Sequence, residues 1–550
     1  MSKKIICLVI ALVLMCGAVF TGCSNKEDET VNAEADTEES ARVAMTISLW
    51  MPTDESTTDE ARQLVSDAIN KLTRAKYNTA IDLHLIPRDE YQETIDKKIE
   101  DTAAAREAKE AAEEAERARQ KQLKAQGIKE DPEKVEEPTD EEIGAYPAVA
   151  EDQLDIFMVS GYDNYFRYID EDLISQLNGE LSANSKVLKS YIYPHFFDVA
   201  DEFGIYGIPN NHPVGEYEYL LINKDLVDKY DYDADTFTTL IRCKSFIIDM
   251  GNQNLEGLVP LLGPVDPSGV TFWNANQDGK EWSVLASQYG DDVAYNKEVL
   301  PDNLLANGAY TNLYGMLKQL DELGYVGDGE LDEDEYFAVG IVPGTPEDIK
   351  DWEDDYYVRI HSNPVCTEDD VFGSMFCVST YTKNLSRAME IITYLNTNKE
   401  MRTALQYGVE DVHWEYEDDA KDTIRIISDD YSMDLLETGN VYMTYPGEGI
   451  PMSYWEDAKQ QNLDSVTSPY IKFGGYINEK NLPVMEKVAE FSKEIKEKLE
   501  SCSYEEYNDV IRELKKEVAN NADVKKMLDP ENEDSVYKIY FEWHSDLYPF

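Results

Sequence analysis

Met45-Thr46-Ile47-Ser48-Leu49-Trp50 alternates apolar and polar residues as a half-buried strand does, and Ile81-Asp82-Leu83-His84-Leu85-Ile86 carries a second strand-like run. Between them, after a turn at Pro52, the stretch from Asp59 to Tyr77 has helical spacing, with Leu64, Val65, Ile69 and Leu72 expected on one face. Strand, helix, strand in that order predicts a parallel pair joined by a crossover helix, and so an α/β body whose order begins near Ala44.

Downstream, the region from Ile99 to Glu142 is almost all Ala, Glu, Lys, Arg and Gln. Its core, Asp101 to Gln126, is rich in helix formers and in charge pairs one turn apart, and Gly127 ends it. A helix this polar has little to bury, so it is expected to project as a solvated arm. The globular pattern resumes with Leu154-Asp155-Ile156-Phe157-Met158-Val159, a buried strand running into the loop Ser160-Gly161-Tyr162-Asp163-Asn164. Gly204 to Pro209 suggests a hairpin, and Glu216 to Ile222 a strand that leads into a helix at Lys224. Further strands are expected at Tyr336 to Pro343 and Phe372 to Val378. Helices are expected at Leu385 to Asn396, at Lys399 to Tyr407 and through most of Pro483 to Met527.

Upstream, Lys3 and Lys4 precede an apolar run from Ile5 to Phe20, which closes on Thr21-Gly22-Cys23. A charged start, an apolar middle and a small-residue end form a secretory signal, and the run is short of the about 20 residues that span a bilayer. A cysteine directly after the small pair resembles the lipobox of bacterial lipoproteins, with Phe20 standing where an aliphatic residue is usual. That resemblance implies acylation of Cys23 and a lipid-anchored body (palmitate is the expected modification) on the extracellular face of the cell membrane. Ser24 to Arg42 is acidic and apolar-poor, the composition of a disordered tether.

The chain of 550 residues has 111 acidic and 50 basic side chains, a formal charge of −61. Such a charge excludes electrostatic nucleic-acid binding, which needs Lys and Arg against phosphate. Of seven cysteines, four lie beyond the leader and Cys23: Cys243, Cys366, Cys377 and Cys502. They permit three pairings, among which sequence does not choose; buried free thiols are expected, with a Cys366–Cys377 bridge the leading exception. No Cys/His cluster, HExxH, GxSxG or P-loop occurs, so the sequence calls for no metal or other cofactor. Asp231-Tyr232-Asp233-Ala234-Asp235 starts like a calcium loop, but Thr236 and Arg242 occupy the glycine and glutamate positions of an EF-hand.

Several stretches, in order, resemble the extracellular solute-binding lipoproteins of ABC importers, of the sugar-binding kind related to maltose-binding protein. Leu154-Asp155-Ile156-Phe157 with Gly161-Tyr162-Asp163 is similar to their strand and ligand loop. Tyr206-Gly207-Ile208-Pro209 followed by Tyr219-Leu220-Leu221-Ile222-Asn223-Lys224-Asp225-Leu226 is similar to their hinge segment. Val378 to Asn384 with Ala388-Met389 resembles the entry to a late helix. Tyr407-Gly408-Val409-Glu410-Asp411-Val412-His413-Trp414, Tyr445 to Gly449 and Ser468-Pro469-Tyr470 resemble the large Gram-positive lipoprotein subgroup.

The resemblance implies a two-lobed, periplasmic-binding-protein-like fold of type II, with hinge strands and the charged helical arm as an insertion. The expected division is a signal peptide at 1–22, a tether at 23–43 and a first α/β lobe at 44–212 with the insertion at 99–142. A second lobe follows at 213–340, a return to the first at 341–384, and second-lobe helices with a C-terminal tail at 385–550. The implied function is capture of a carbohydrate, an oligosaccharide, and its delivery to the permease subunits of an ABC transporter by a monomer without catalytic activity.

Sugars need flat apolar surface for their C–H faces and carboxylates or amides for their hydroxyls. By position the ligand-binding candidates are Trp50, Asp54, Tyr162 and Asp163 in the first lobe, and Glu216 and Tyr217 at the hinge. Trp273, Asn274 and Trp282 are the candidates of the second lobe, with Tyr445 and Trp455 in a loop near the mouth. Three other readings compete. They are a binding protein for a peptide or other solute, a secreted glycoside hydrolase with paired carboxylates, and a sensory lipoprotein that uses the charged arm.

Overall fold

The computed structural model describes residues 43–126, 146–201, 204–265, 267, 272–274, 282–288, 301–417, 419–467 and 480–547. The leader, Cys23, the acidic tether up to residue 42, the part of the insertion beyond residue 126 and Ser468-Pro469-Tyr470 lie outside them.

The strand–helix–strand reading is realised as β1 (Met45–Thr53), α1 (Asp59–Tyr77) and β2 (Thr79–Pro87), with β1 and β2 parallel from Met45↔Thr79 to Thr53↔Pro87. Thr58 caps α1 by accepting from the Ala61 amide, acidic residues open its first turn, and Asn78 closes it in the left-handed conformation. Its buried stripe is Ala61, Val65, Ile69 and Thr73, spaced four apart; Leu64, expected among them, points to solvent. Asn70, from the same helix, accepts from the Ile81 amide and donates to the Ile81 carbonyl, both at 2.8 Å. It thereby completes the open edge of the sheet at β2.

Next come α2 (Arg88–Ala125), β3 (Ile156–Val159), α3 (Tyr162–Asp170), α4 (Asn178–Ser182), α5 (Pro194–Ala200) and β4 (Gly207–Pro209). The charged arm is not a separate helix: it continues α2 (38 residues), whose buried residues Tyr91, Ile95, Ile99 and Thr102 stop before its midpoint. Its last anchors are Lys109 and Arg106. Lys109 shares Asp152 with Lys383 at 2.8 and 2.6 Å, and the Arg106 guanidinium lies 5.5 Å from the Tyr381 ring centre.

β4 is a single edge strand rather than half of a hairpin. It pairs antiparallel with β13 (Met375–Val378), and the first sheet runs β2-β1-β3-β13-β4.

The second lobe holds β5 (Tyr217–Asn223), α6 (Lys224–Lys229), α7 (Leu240–Gln253), β6 (Leu258–Leu262), β7 (Phe272–Asn274), β8 (Leu285–Gln288), β9 (Asp302–Asn303), α8 (Gly308–Glu322), β10 (Tyr336–Gly344) and β11 (Tyr356–Ser362). Its sheet runs β11-β5-β10-β6. Alternation along β5 sends Leu220 and Ile222 to the core under α6 to α8, and Tyr217, Tyr219 and Leu221 to a second core with Phe337 and Tyr356.

The chain returns through β12 (Val365–Cys366), α9 (Glu368–Phe372) and β13 (Met375–Val378). Then follow α10 (Leu385–Thr397), α11 (Lys399–Tyr407), β14 (Trp414–Tyr416), β15 (Ile424–Ile426), α12 (Tyr454–Asp464), β16 (Val466–Thr467), α13 (Leu482–Ser501), α14 (Tyr504–Asn520), α15 (Ala522–Met527) and α16 (Val536–Leu547). Residues 385–407, expected with the second lobe, pack on the first. α11 lies on α1, and Arg387 donates to the Tyr77 carbonyl at 2.7 Å and to Thr79 at 2.5 Å. α13 and α14 pack at the second lobe, where Tyr507 donates to the Thr311 carbonyl of α8 at 2.6 Å. Their buried residues are continuous with the first core. The four described cysteines are free and buried.

Three segments cross between the lobes side by side. Residues 210–216 lead out, 363–367 lead back, and β16 pairs parallel with β12 beside them. Asn462 fastens the first crossing by accepting from the Val214 amide at 2.9 Å and donating to the His212 carbonyl at 2.7 Å. Gly215 sits at φ 52°, and a Cβ there would stand 2.9 Å from the Val365 carbonyl oxygen, so the two crossings touch backbone to backbone only because this residue is glycine.

Candidate ligand-binding site

β1, β2 and β3 are parallel, and β4 joins their direction because both it and β3 oppose β13. The residues just past the four strands are Asp54, Arg88, Ser160 and Asn210, and they share one sheet edge with Ser374, which precedes β13. The chain leaves for the second lobe directly from Asn210, so this edge lies at the crossovers. In the second sheet β5 begins at the crossover, and β6, β10 and β11 all run towards it. The ends of both sheets thus open onto one cleft, and carboxyl ends of strands are where α/β sheets bind ligands.

On the first-lobe side the cleft carries one guanidinium among three carboxylates. Arg88 is the first residue of α2, where the helix dipole disfavours a cation. The surrounding acids offset this: Arg88 pairs with Asp54 at 3.0 Å, with Glu437, and with Asp434 at 4.0 Å. Ser432 donates to the other Asp54 oxygen at 2.5 Å. The Ser432 hydroxyl, with help from Arg88, holds the Asp54 carboxyl below its ordinary value. Glu437 moves the other way: burial raises it against the pull of Arg88.

The segment bearing Ser432, Asp434 and Glu437 has almost no regular structure, and buried side chains hold it in place. Arg402 is fully buried. It donates to the Leu435 carbonyl at 2.8 Å and to Gln406 at 3.0 Å, and Gln406 in turn donates to the Met433 carbonyl at 2.7 Å. Burial brings the Arg402 guanidinium down to about 9, so it stays charged at neutral pH. Asn210 donates to the Leu436 carbonyl at 3.1 Å and to Ser374 at 2.5 Å. Beside these groups Tyr162 opens α3, its ring packed on Phe166 and Phe372 at 4.4 and 5.2 Å between centroids. Hydroxyl-binding carboxylates and a guanidinium next to a half-buried aromatic ring form the kind of surface a saccharide needs.

Of the residues singled out from sequence, Asp54, Tyr162 and the exposed Asp163 do lie at this edge, and the exposed Glu216 sits on the crossing just before β5. Trp50 does not reach it. β1 continues in register to Thr53, and the Trp50 ring is stacked on the His84 ring of β2 at 3.8 Å. Tyr217 is buried and donates to Asp464 at 2.8 Å, which ties β5 to α12. Trp282 donates to the Tyr310 hydroxyl at 2.9 Å and packs on the core near α8, away from the second-sheet edge. Trp273 and Asn274 belong to β7, but their side chains lie outside the described residues. Tyr445 and Trp455 are buried, Tyr445 among Trp414 and Tyr416, and Trp455 donating to the Thr444 carbonyl at 2.7 Å.

Sequence reasoning missed Arg88, Asp434 and Glu437. Arg88 was within reach, since it directly follows the second strand as Asp54 follows the first. Asp434 and Glu437 come from a stretch without periodicity, joined to the edge only by tertiary contacts. Among the described residues no group of three or more His, Cys, Asp or Glu could hold a metal ion, and no helix is long and apolar enough to cross a membrane.

No family model matches the chain. A stretch of 102 residues is 31% identical to a carbohydrate ABC transporter substrate-binding protein of Streptococcus pneumoniae serotype 4, covering 18% of this chain and 21% of that protein. The match thus spans about a fifth of the curated relative. Over 92% of the chain and 99% of the other, the structure resembles the crystal structure of the N-glycan transport solute binding protein NgtS from S. pneumoniae, with a TM-score of 0.54 and 16% identity. The chain has the two-lobed α/β fold of the solute-binding proteins.

Proposed function

We propose that this protein captures a carbohydrate, an oligosaccharide, between its two lobes and delivers it to the permease subunits of an ABC transporter. It acts as a binding protein without catalysis, as a monomer held by lipid on Cys23 at the extracellular face of the cell membrane. The observation that carries the reading is the first-sheet edge, where Asp54, Arg88, Asp434 and Glu437 gather beside Tyr162 at the mouth of three crossing segments. The local 31% identity to a carbohydrate-binding transport protein supports the same class.

Closure about the crossings would bring the second-sheet edge onto a ligand already hydrogen-bonded at the first. Water leaves the cleft, and each polar contact gains strength in the lower dielectric. The permease then distinguishes a closed, loaded protein from an open one.

A thermal-shift screen of the body from Ala44 onward against oligosaccharides, peptides and polyamines tests the ligand class. A ligand specific to the folded state adds about 2.7 kcal/mol of stability at a hundredfold excess over its Kd. A saturable shift with one glycan class supports the proposal. The excess of carboxylates over guanidinium in the cleft gives the alternative, a peptide or amino ligand, its own signature: shifts with amines alone, falling steeply with salt. Incorporation of labelled palmitate that is lost in Cys23→Ala tests the anchor.

A further inference from the structure

A second cavity opens beside α11, and none of Asp54, Arg88, Asp434 or Glu437 lines it. Arg402 and Gln406 of that helix pin the cleft segment, while Lys399, Glu400 and Thr403 of the same helix line a cavity of about 520 Å³. α1 forms the opposite wall through Lys71 and Leu72. The floor is aromatic: Trp414, Tyr416 and Tyr445 pack edge-on and tilted, with centroids 5.0 to 6.0 Å apart. The volume falls within the range of sites for small organic ligands, about 300–1,000 Å³.

The charges around it cancel. Lys71 and Lys399 face Glu400 and Glu410, and behind them Lys421, 4.4 Å over the Tyr416 ring, is balanced by Asp422, whose charge acts on Lys399. Lys71, Glu400 and Glu410 make no ion pair or side-chain hydrogen bond among the described residues, and Lys399 lies over the Tyr445 ring at 3.9 Å. An ionic ligand would call for one sign of charge. Equal numbers of ammonium and carboxylate groups, with their hydrogen-bonding capacity unspent, suit a neutral ligand with many hydroxyls, and the half-buried Tyr416, backed by the buried Trp414 and Tyr445, suits one with an apolar face. We propose that this cavity is a second saccharide site, on the outer face of the first lobe, that takes a neutral pyranose unit independently of the cleft.

Saturation-transfer NMR on the whole protein carrying Asp54→Ala and Arg88→Ala, with millimolar methyl α-mannoside, N-acetylglucosamine and maltose as neutral probes and glucosamine and glucuronate as charged ones, reads this site apart from the cleft. The expected result is transfer from the C–H face of at least one neutral probe, falling at least fivefold on adding either Tyr416→Ala or Glu410→Gln. Glu410 is exposed, so its variant keeps the test valid should the tyrosine change disturb folding. Transfer that survives both substitutions, transfer only from glucosamine or glucuronate, or none from any probe would overturn the proposal. Failure of the cleft to bind sugar in the wild type would leave this result readable, because the variant background already lacks the cleft.

Discussion

The cleft edge and the outer cavity of the first lobe are built from opposite materials. The cleft edge is charged and sits at the ends of parallel strands, where backbone geometry alone gathers residues that are distant in sequence. The cavity is aromatic and local, made by one hairpin, β14–β15, with Tyr445 set against α1 and α11. The contrast shows that abundance of tyrosine and tryptophan does not by itself mark a ligand surface: Trp50, Tyr217 and Trp455 pack, and the polar ends of strands form the cleft edge.

The largest expected effect breaks the cleft and spares the cavity. Arg88→Ala removes the charge that holds three carboxylates together, and should weaken glycan affinity at least tenfold to a hundredfold, as for loss of a charged hydrogen bond worth about 1.5–3 kcal/mol. Tyr416→Ala should leave cleft affinity unchanged; calorimetric titration of both variants checks the pair.

The crossings come next. Gly215→Val forces a left-handed backbone on a β-branched residue and drives its Cβ against the Val365 backbone. It should cost about 1–3 kcal/mol of stability and impair closure, seen as a lower Tm together with weaker binding.

Arg402→Met leaves the Leu435 carbonyl without its donor and removes the bond that orients Gln406, the donor to the Met433 carbonyl. About 1–3 kcal/mol of stability should go, with a loss of glycan affinity that Tyr416→Ala does not share, since Arg402 touches the cleft segment and not the cavity floor.

The smallest effect lies far from both sites, where α2 is clamped. Lys109, then Lys383, hold the Asp152 carboxyl at about 2, below its ordinary 3.8. A depressed carboxyl stabilises the fold above its unfolded value, and that contribution fades as pH falls from 3.8 towards 2. Acid unfolding of Asp152→Asn should therefore be flatter over that window than in the wild type, with no change in glycan affinity.

How far the sequence could be read follows from the same physics. The β1–α1–β2 unit was legible because both its periods, two and near four, survive in the residues, and the hinge was legible from the run between Tyr206 and Leu226. The continuity of α2 with the charged arm was hidden by the change from buried to solvated faces at Thr102. The lobe to which α10 and α11 belong was also hidden, since both lobes offer them an apolar surface and only tertiary contacts decide. In the site, Asp54 and Tyr162 followed from strand ends. Trp50 misled because the strand outlasts it by three residues. Asp434 and Glu437 left no local pattern, as their position depends on Arg402 and Asn210 reaching them from other segments.

The central claim, that the first-sheet edge binds a glycan, is tested most directly by calorimetric titration of the wild type and Arg88→Ala with the oligosaccharide that stabilises the wild type most. Saturable binding in the wild type that falls at least tenfold in a folded Arg88→Ala is the predicted result. Equal affinity in the two proteins would contradict it, and would move the ligand away from this edge.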